Sequence, residues 1–170
     1  ILKIKLTTVN IPEYVISANL IKEFWENIGV VVDLEIINEE KIFRDSIKTR
    51  NYEAFLYGEN YGSDPDPYPF WHSSQVQEPG LNLSLYSNRN IDKILEEAKK
   101  INKPEEKSNY YREFEKLLLE DYPAIFLYSP TYTYAVHEKI HLPGLERIIL
   151  PHDRFIESET WYIQTGRRLK

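Results

Sequence analysis

The chain has 170 residues, enough for one domain with a real core. Its formal charge is -6 and no Lys/Arg run exceeds two residues, so it lacks the concentrated basic stripe of a nucleic-acid groove. The absence of cysteine excludes disulfides, thiolate metal sites and a Cys nucleophile, and no apolar run is long enough to span a bilayer. The chain opens on Ile1 without a methionine, so it is expected to be an excerpt or a processed product.

Leu2-Lys-Ile-Lys-Leu6 alternates apolar and charged residues and predicts a half-buried strand. A loop to Pro12 follows, then a helix over Glu13 to Ile28. Its inward residues Ala18, Ile21, Trp25 and Ile28 recur at three- and four-residue steps, and Gly29 supplies the stop. The β-branched run Val30 to Ile37 predicts a second strand. Glu39 to Thr49 reads as a short amphipathic helix with Ile42, Phe43 and Ile47 inward, and Tyr52 to Tyr57 as a third strand. The order β-α-β-α-β with short joints predicts an α/β fold, a mainly parallel sheet with flanking helices.

The third strand runs into Phe55 to Trp71, which holds three of the ten prolines, two of the six glycines and six aromatics. Proline and glycine end regular structure there. A stiff loop with aromatic faces and carboxylates at the C-terminal end of a strand is where an open α/β sheet holds a ligand. Packing of the same aromatics on the domain is the plainer alternative.

Beyond a polar stretch, Ser73 to Asn90, Asn90 is placed to cap a helix from Ile91 to Ile101, with Ile91, Ile94, Leu95 and Ala98 inward. Asn102-Lys-Pro-Glu-Glu starts another, with Pro104 in its first turn and Tyr111, Phe114, Leu117 and Leu118 on one stripe. It ends near Asp121. Ala124 to Tyr128 and Tyr132 to Val136 read as two strands. The whole, 1–170, reads as one lobe, with 137–170 a C-terminal segment of weak periodicity.

Tests for chemistry return little. Tyr57-Gly-Glu-Asn-Tyr-Gly62 has two glycines but no Lys-Ser/Thr pair, so it is a poor phosphate cradle. His137 and His141 stand four apart, but Pro143 interrupts any helix that would aim both at a metal, and His72 and His152 lie far off in sequence. Asp64 and Asp66 offer too few oxygens for calcium and are expected to shape the turn. Glu59 with Asp64 or Asp66 is the one candidate acid pair for a glycosidase. No Gly-x-Ser-x-Gly elbow is present. The expectation is therefore no enzyme, no catalytic residue, no metal and no cofactor.

Several blocks together resemble a known family. They are Leu2-Lys-Ile-Lys-Leu-Thr-Thr8, the helix Ala18 to Val30 with Val32-Asp-Leu-Glu35, Tyr52 to Gly58 followed by Asp64-Pro-Asp-Pro67, Asn82 to Ala98, Tyr111 to Leu119, and Asp121-Tyr-Pro-Ala-Ile-Phe-Leu-Tyr128. In this order the run, over residues 1 to 137, is similar to the C-terminal lobe of the family 5 extracellular solute-binding proteins, the oligopeptide, dipeptide and nickel receptors of ABC importers. The resemblance implies one lobe of a two-lobed, type II periplasmic-binding-protein-like clamp, with 137–170 packing back toward the hinge or partner lobe.

It further implies a peptide or other small solute as ligand, a missing N-terminal lobe of the same parent chain and an ABC permease as partners, and no nucleic acid. It implies a single-copy protein, extracellular or periplasmic, anchored to the membrane through a signal segment. The residues expected to face the ligand are Tyr57, Gly58, Glu59, Asn60, Tyr61 and Trp71. In peptide-binding members an acid shortly before the Asp-Pro step pairs with the peptide's α-amino group, and Glu59 is the nearest acid upstream of Asp64. Asn60 or Tyr61 in that place would instead suit a ligand without a free amine, such as a sugar. A ligand sensor in a transcriptional regulator and a glycoside hydrolase are the two alternatives.

Overall fold

A computed structural model of the chain describes residues 1–62, 66–143, 148 and 151–163, with the backbone alone at 40 and 42–44. The chain divides into two compact units, 1–60 with 66–125 and 61–65 with 126–170. The division falls earlier in the chain than residue 137.

The first unit is built on three parallel strands in the order β2-β1-β3, with β1 Lys3–Val9, β2 Val31–Ile37 and β3 Ala54–Leu56. β1 pairs with β2 along its whole length, Lys3 against Val31 through Val9 against Ile37, and its second half pairs with β3. A central strand covered on both faces has no room for the alternation seen at its start. Thr7 and Thr8 are accordingly fully buried, and each hydroxyl is satisfied locally. Thr7 donates to the Glu35 carboxylate at 3.1 Å and Thr8 to the Leu56 carbonyl at 2.9 Å.

Helix α1, Pro12–Asn27, begins on a proline that costs it nothing at the first position. It ends in a Schellman turn: Gly29 adopts φ +90°, its N–H donates to Glu26, and the Val30 N–H donates to Trp25. Ala18, Ile21 and Trp25 pack with Leu6, Val32, Leu34 and Leu56 against the sheet. Ile28 departs from the expected inner row. It is the residue at which the helix stops, and the turn leaves it exposed.

The expected helix over 39–49 is a short α2, Glu39–Ile42, continuing into a π-helical turn Phe43–Ile47. Ile47 is buried beside Val9, with Tyr14, Ile37, Phe55 and Leu83 around them, and the side chains of Ile42 and Phe43 lie outside those described. Arg50, at φ +54°, then fixes the chain: its guanidinium donates to the carbonyls of Ile47, Val76 and Gly80.

Past the loop, a helical turn α3, Tyr68–Trp71, appears where the sequence showed only prolines; Pro69 is tolerated because it lies in the first turn. Helices α4, Arg89–Lys100, and α5, Pro104–Asp121, follow the expected stripes, burying Ile91, Leu95 and Ala98 on one and Phe114 and Leu118 on the other. The cap of α4 is Asn88, not Asn90. Asn88 has the extended backbone a cap requires and accepts from the N–H groups of Asn90 and Ile91, which places Asn90 inside the first turn.

In the second unit the expected strands at 124–128 and 132–136 do not form. A strand needs a partner ladder, and no described residue supplies one to these segments. The unit's strands are instead β4, Ile140–His141, and β5, Tyr162–Ile163, paired antiparallel. Arg154 joins Tyr132, donating to its hydroxyl at 2.6 Å, while Phe155 stacks with Trp161.

Candidate functional site

The three parallel strands end at Val9, Ile37 and Leu56, so their carboxyl ends form one rim. Chain leaving β1 enters α1 immediately, and Asn10 is held at the rim by its N–H bond to the Ile37 carbonyl at 2.8 Å. This rim is where an open α/β sheet presents backbone ends and loop side chains to a ligand.

Alternation along β3 and its flanks puts Tyr52, Phe55 and Tyr57 in one aromatic stack. Phe55 lies 4.7 Å from Tyr52 and 5.1 Å from Tyr57, with nearly parallel rings. The Tyr52 hydroxyl is anchored on the Leu83 carbonyl, and burial pushes its phenol pKa up. Tyr14, from the first turn of α1, meets Tyr57 edge-on at 6.4 Å. Its hydroxyl lies so close to Gly58 that a Cβ at that position would overlap it. Glycine at 58 is thus a matter of space: the side chain of Tyr14 occupies where another residue's Cβ would stand.

Glu59 follows. Its side chain is exposed by area, yet its surroundings desolvate it enough to push the carboxyl up to about 7. No hydrogen bond or ion pair satisfies it among the described residues. Asn60 is the last residue of the first unit before the loop, and Tyr61 belongs to the second unit. The structure therefore brings Tyr57, Gly58 and Glu59 together with Tyr14, a residue the sequence reading passed over. The signal for Tyr14 was available: it stands two residues after the proline that opens α1, at the same rim as the end of β3.

Trp71 stands apart from that group. It is 5% exposed and packs edge-on to Tyr86, so its ring serves the interior. Asp64 lies outside the described residues, and with it one of the two acid pairs considered for a glycosidase. Asp66 does what was expected of it, accepting the Tyr68 N–H at 3.0 Å and shaping the turn.

Other charged groups are settled by neighbours. A polar concavity of about 350 Å³ is lined by Lys5, Glu35, Asn38, Lys41, Asp45 and Asn51. Within it Lys5 and Glu35 pair at 2.8 Å, and that bond raises the Lys5 pKa and lowers that of Glu35. His72 is buried and stacked on Tyr68; its Nδ1 accepts the Ser74 N–H at 3.1 Å, which leaves the proton on Nε2. His141 stacks on Tyr162, and the His137 Nδ1 accepts the Lys139 N–H. Among the described residues no cluster of three or more His, Asp or Glu is arranged to hold a metal ion. No helix among them is long and apolar enough to cross a membrane.

No family model matches the chain. Among curated proteins it is similar to the oligopeptide-binding protein AppA of Bacillus subtilis, 29% identical over 124 residues, 72% of this chain and 23% of that protein. It is also similar to the probable D,D-dipeptide-binding periplasmic protein DdpA of Escherichia coli, 25% identical over 117 residues, 66% of this chain and 22% of that one. Among solved structures, that of Bacillus subtilis AppA in complex with a nonapeptide superposes over 96% of this chain and 32% of its own, with TM-score 0.76 and 25% identity. The chain spans less than a quarter of the length of these curated relatives. The chain is a partial-length homologue of the family 5 extracellular solute-binding proteins, built on the type II periplasmic-binding-protein fold.

Proposed function

We propose that this chain supplies one wall of the ligand cleft in the substrate-binding component of an ABC importer, which closes over a peptide and delivers it to a membrane permease. Glu59 carries the reading. A carboxylate at the carboxyl rim of a parallel sheet, desolvated and without an internal partner, costs the free protein something that an incoming cation restores. The α-amino group of a peptide is such a cation, and Tyr57, with Tyr14 behind it, offers a ring face for the adjoining side chain or backbone. The names of the relatives support the same class: one is called oligopeptide-binding and was solved with a nonapeptide, the other dipeptide-binding.

On this reading the site binds and does not turn its ligand over. The rest of the cleft belongs to an N-terminal lobe of the parent chain, and hinge closure buries the ligand between the two. The protein works outside the cytoplasm, extracellular or periplasmic, held at the membrane through a signal segment and engaging its permease there.

The test is a titration of the chain with short peptides bearing a free or an acetylated N-terminus, followed by amide chemical shifts. Free-amine peptides are expected to bind weakly and to move the resonances of residues 57–60. Acetylation should weaken binding about tenfold, the loss of one charge-assisted contact. Glu59→Gln should abolish the difference between the two peptides. Equal binding of free and acetylated peptides by the parent chain would remove Glu59 from the amine-pairing role.

A further inference from the structure

Helix α1 is apolar on two faces. Ala18, Ile21 and Trp25 face the sheet. On the outside, Ile16, Leu20 and Phe24 repeat at four-residue steps and are 63%, 47% and 60% exposed, and Ile28 prolongs the row at 77%. Together these four leave roughly 500 Å² of apolar surface on one ridge, the size of the largest patch on a whole typical monomer. Single exposed leucines are ordinary, but a continuous row at spacing four is the ridge by which helices pack on one another. A helix apolar on both sides is normally covered on both.

The residues beside the row decide what covers it. They are Glu13, Ser17, Glu23 and Asn27, two acids and no base. An anionic membrane surface is a poor match, because a helix lying on one carries Lys or Arg on its polar flanks. Lys22, the helix's one basic residue, is turned to the sheet edge, where it donates to the Val32 carbonyl at 2.8 Å and pairs with Glu26.

A second copy meets the row without conflict. With a two-fold axis at Leu20 and the two helices antiparallel, Leu20 faces its own counterpart, Ile16 faces Phe24, and Pro12 faces Ile28. In the same register Glu13 lies opposite Asn27, and Glu23 opposite Ser17. Every apolar side chain meets an apolar one, each acid meets a neutral polar group, and no two like charges meet.

We propose that the outer face of α1 is a self-association surface through which two copies form an isologous two-fold dimer centred on Leu20. Two such ridges remove roughly 1,000 Å² of apolar surface from water, the level a specific interface must reach, so the dimer is weak and concentration-dependent. It departs from the single-copy expectation drawn from the resemblance. It is independent of the ligand site, since Glu59 takes no part in it.

Sedimentation of the 170-residue chain should show its mass rising with concentration toward twice 20.2 kDa, and Leu20→Glu should hold it at the single value. Leu20 is on the surface, so this variant folds; circular dichroism checks that it does. A cysteine-free chain also allows the register to be read directly. Under mild oxidation Leu20→Cys should cross-link to itself, and a mixture of Ile16→Cys with Phe24→Cys should cross-link about tenfold faster than either alone. Lys93→Cys, exposed on α4, is the control for random collision. The proposal is overturned by a chain that stays monomeric at high micromolar concentration, by a dimer that survives Leu20→Glu, or by cross-linking at 93 as fast as at 20. Binding to anionic lipid vesicles without self-association would overturn it equally, and assign the ridge to a membrane.

Discussion

Two polar residues in the first unit are treated in opposite ways. Asn82 is fully buried between α3 and α4 and uses its whole amide: the Nδ2 donates to the carbonyls of His72 and Tyr86, and the Oδ1 accepts from the Ser84 hydroxyl and the Tyr86 N–H. Glu59 is at the surface, partly desolvated, and has no such partner among the described residues. The first residue exists to hold a fold that has no other use for a polar atom there. The second is tolerated by a fold that gains nothing from it. That asymmetry separates structural polarity from polarity kept for a ligand.

The comparison breaks first at Asn82. Replacing it by alanine leaves two carbonyls and a backbone N–H without partners in the interior, and is expected to lower stability by about 3 kcal/mol. Urea unfolding measures it, and a loss below about 1 kcal/mol would mean water satisfies the gap and the residue is not the tie described here. Next in size is the cap of α4. Asn88→Ala should cost about 1 kcal/mol and Asn90→Ala much less, because only Asn88 accepts from the open N–H groups of the first turn. The reverse order would reinstate Asn90. Asn88 also donates to Asp121 at 2.7 Å, so part of its effect is the link to the end of α5.

These two cases mark what can be read along a sequence. The row Ile91, Leu95, Ala98 and the glycine closing α1 were legible because periodicity and a left-handed stop are properties of a single segment. The sequence Asn88-Arg-Asn90 offers two equally good caps, and only the backbone at Asn88 decides between them. Tyr132 to Val136 has the composition of a strand, but a strand is defined by its neighbour, and composition does not name one. At the site, Tyr57 and Trp71 look alike in sequence as aromatic loop residues. Burial separates them, and burial of Trp71 depends on Tyr86, which arrives from another segment. The position of Glu59 was legible, whereas its missing partner and the approach of Tyr14 to Gly58 are facts of assembly.

The smallest effect is the one that tests the unsatisfied side of the comparison. Glu59 has a folded-state pKa of about 7, raised from the ordinary 4.5 by desolvation. Between those values the folded chain holds this proton more tightly than the unfolded chain does, so stability contributed by the protonated form is present below pH 4.5 and lost as the pH rises through about 7. Asp121 has the opposite sign. Bonds from Tyr86 and Asn88 hold its carboxyl below the ordinary 3.8, so its contribution is present above that pH and lost only in acid. Glu59→Gln should therefore leave stability at pH 4 nearly unchanged, raise it at pH 8, and flatten the slope between, while the loss in strong acid persists. A slope that survives the substitution would place the titrating group elsewhere. Because the side chain is exposed, the gain is small, and its sign carries the argument: a carboxylate whose removal stabilises the fold is one the fold itself does not require.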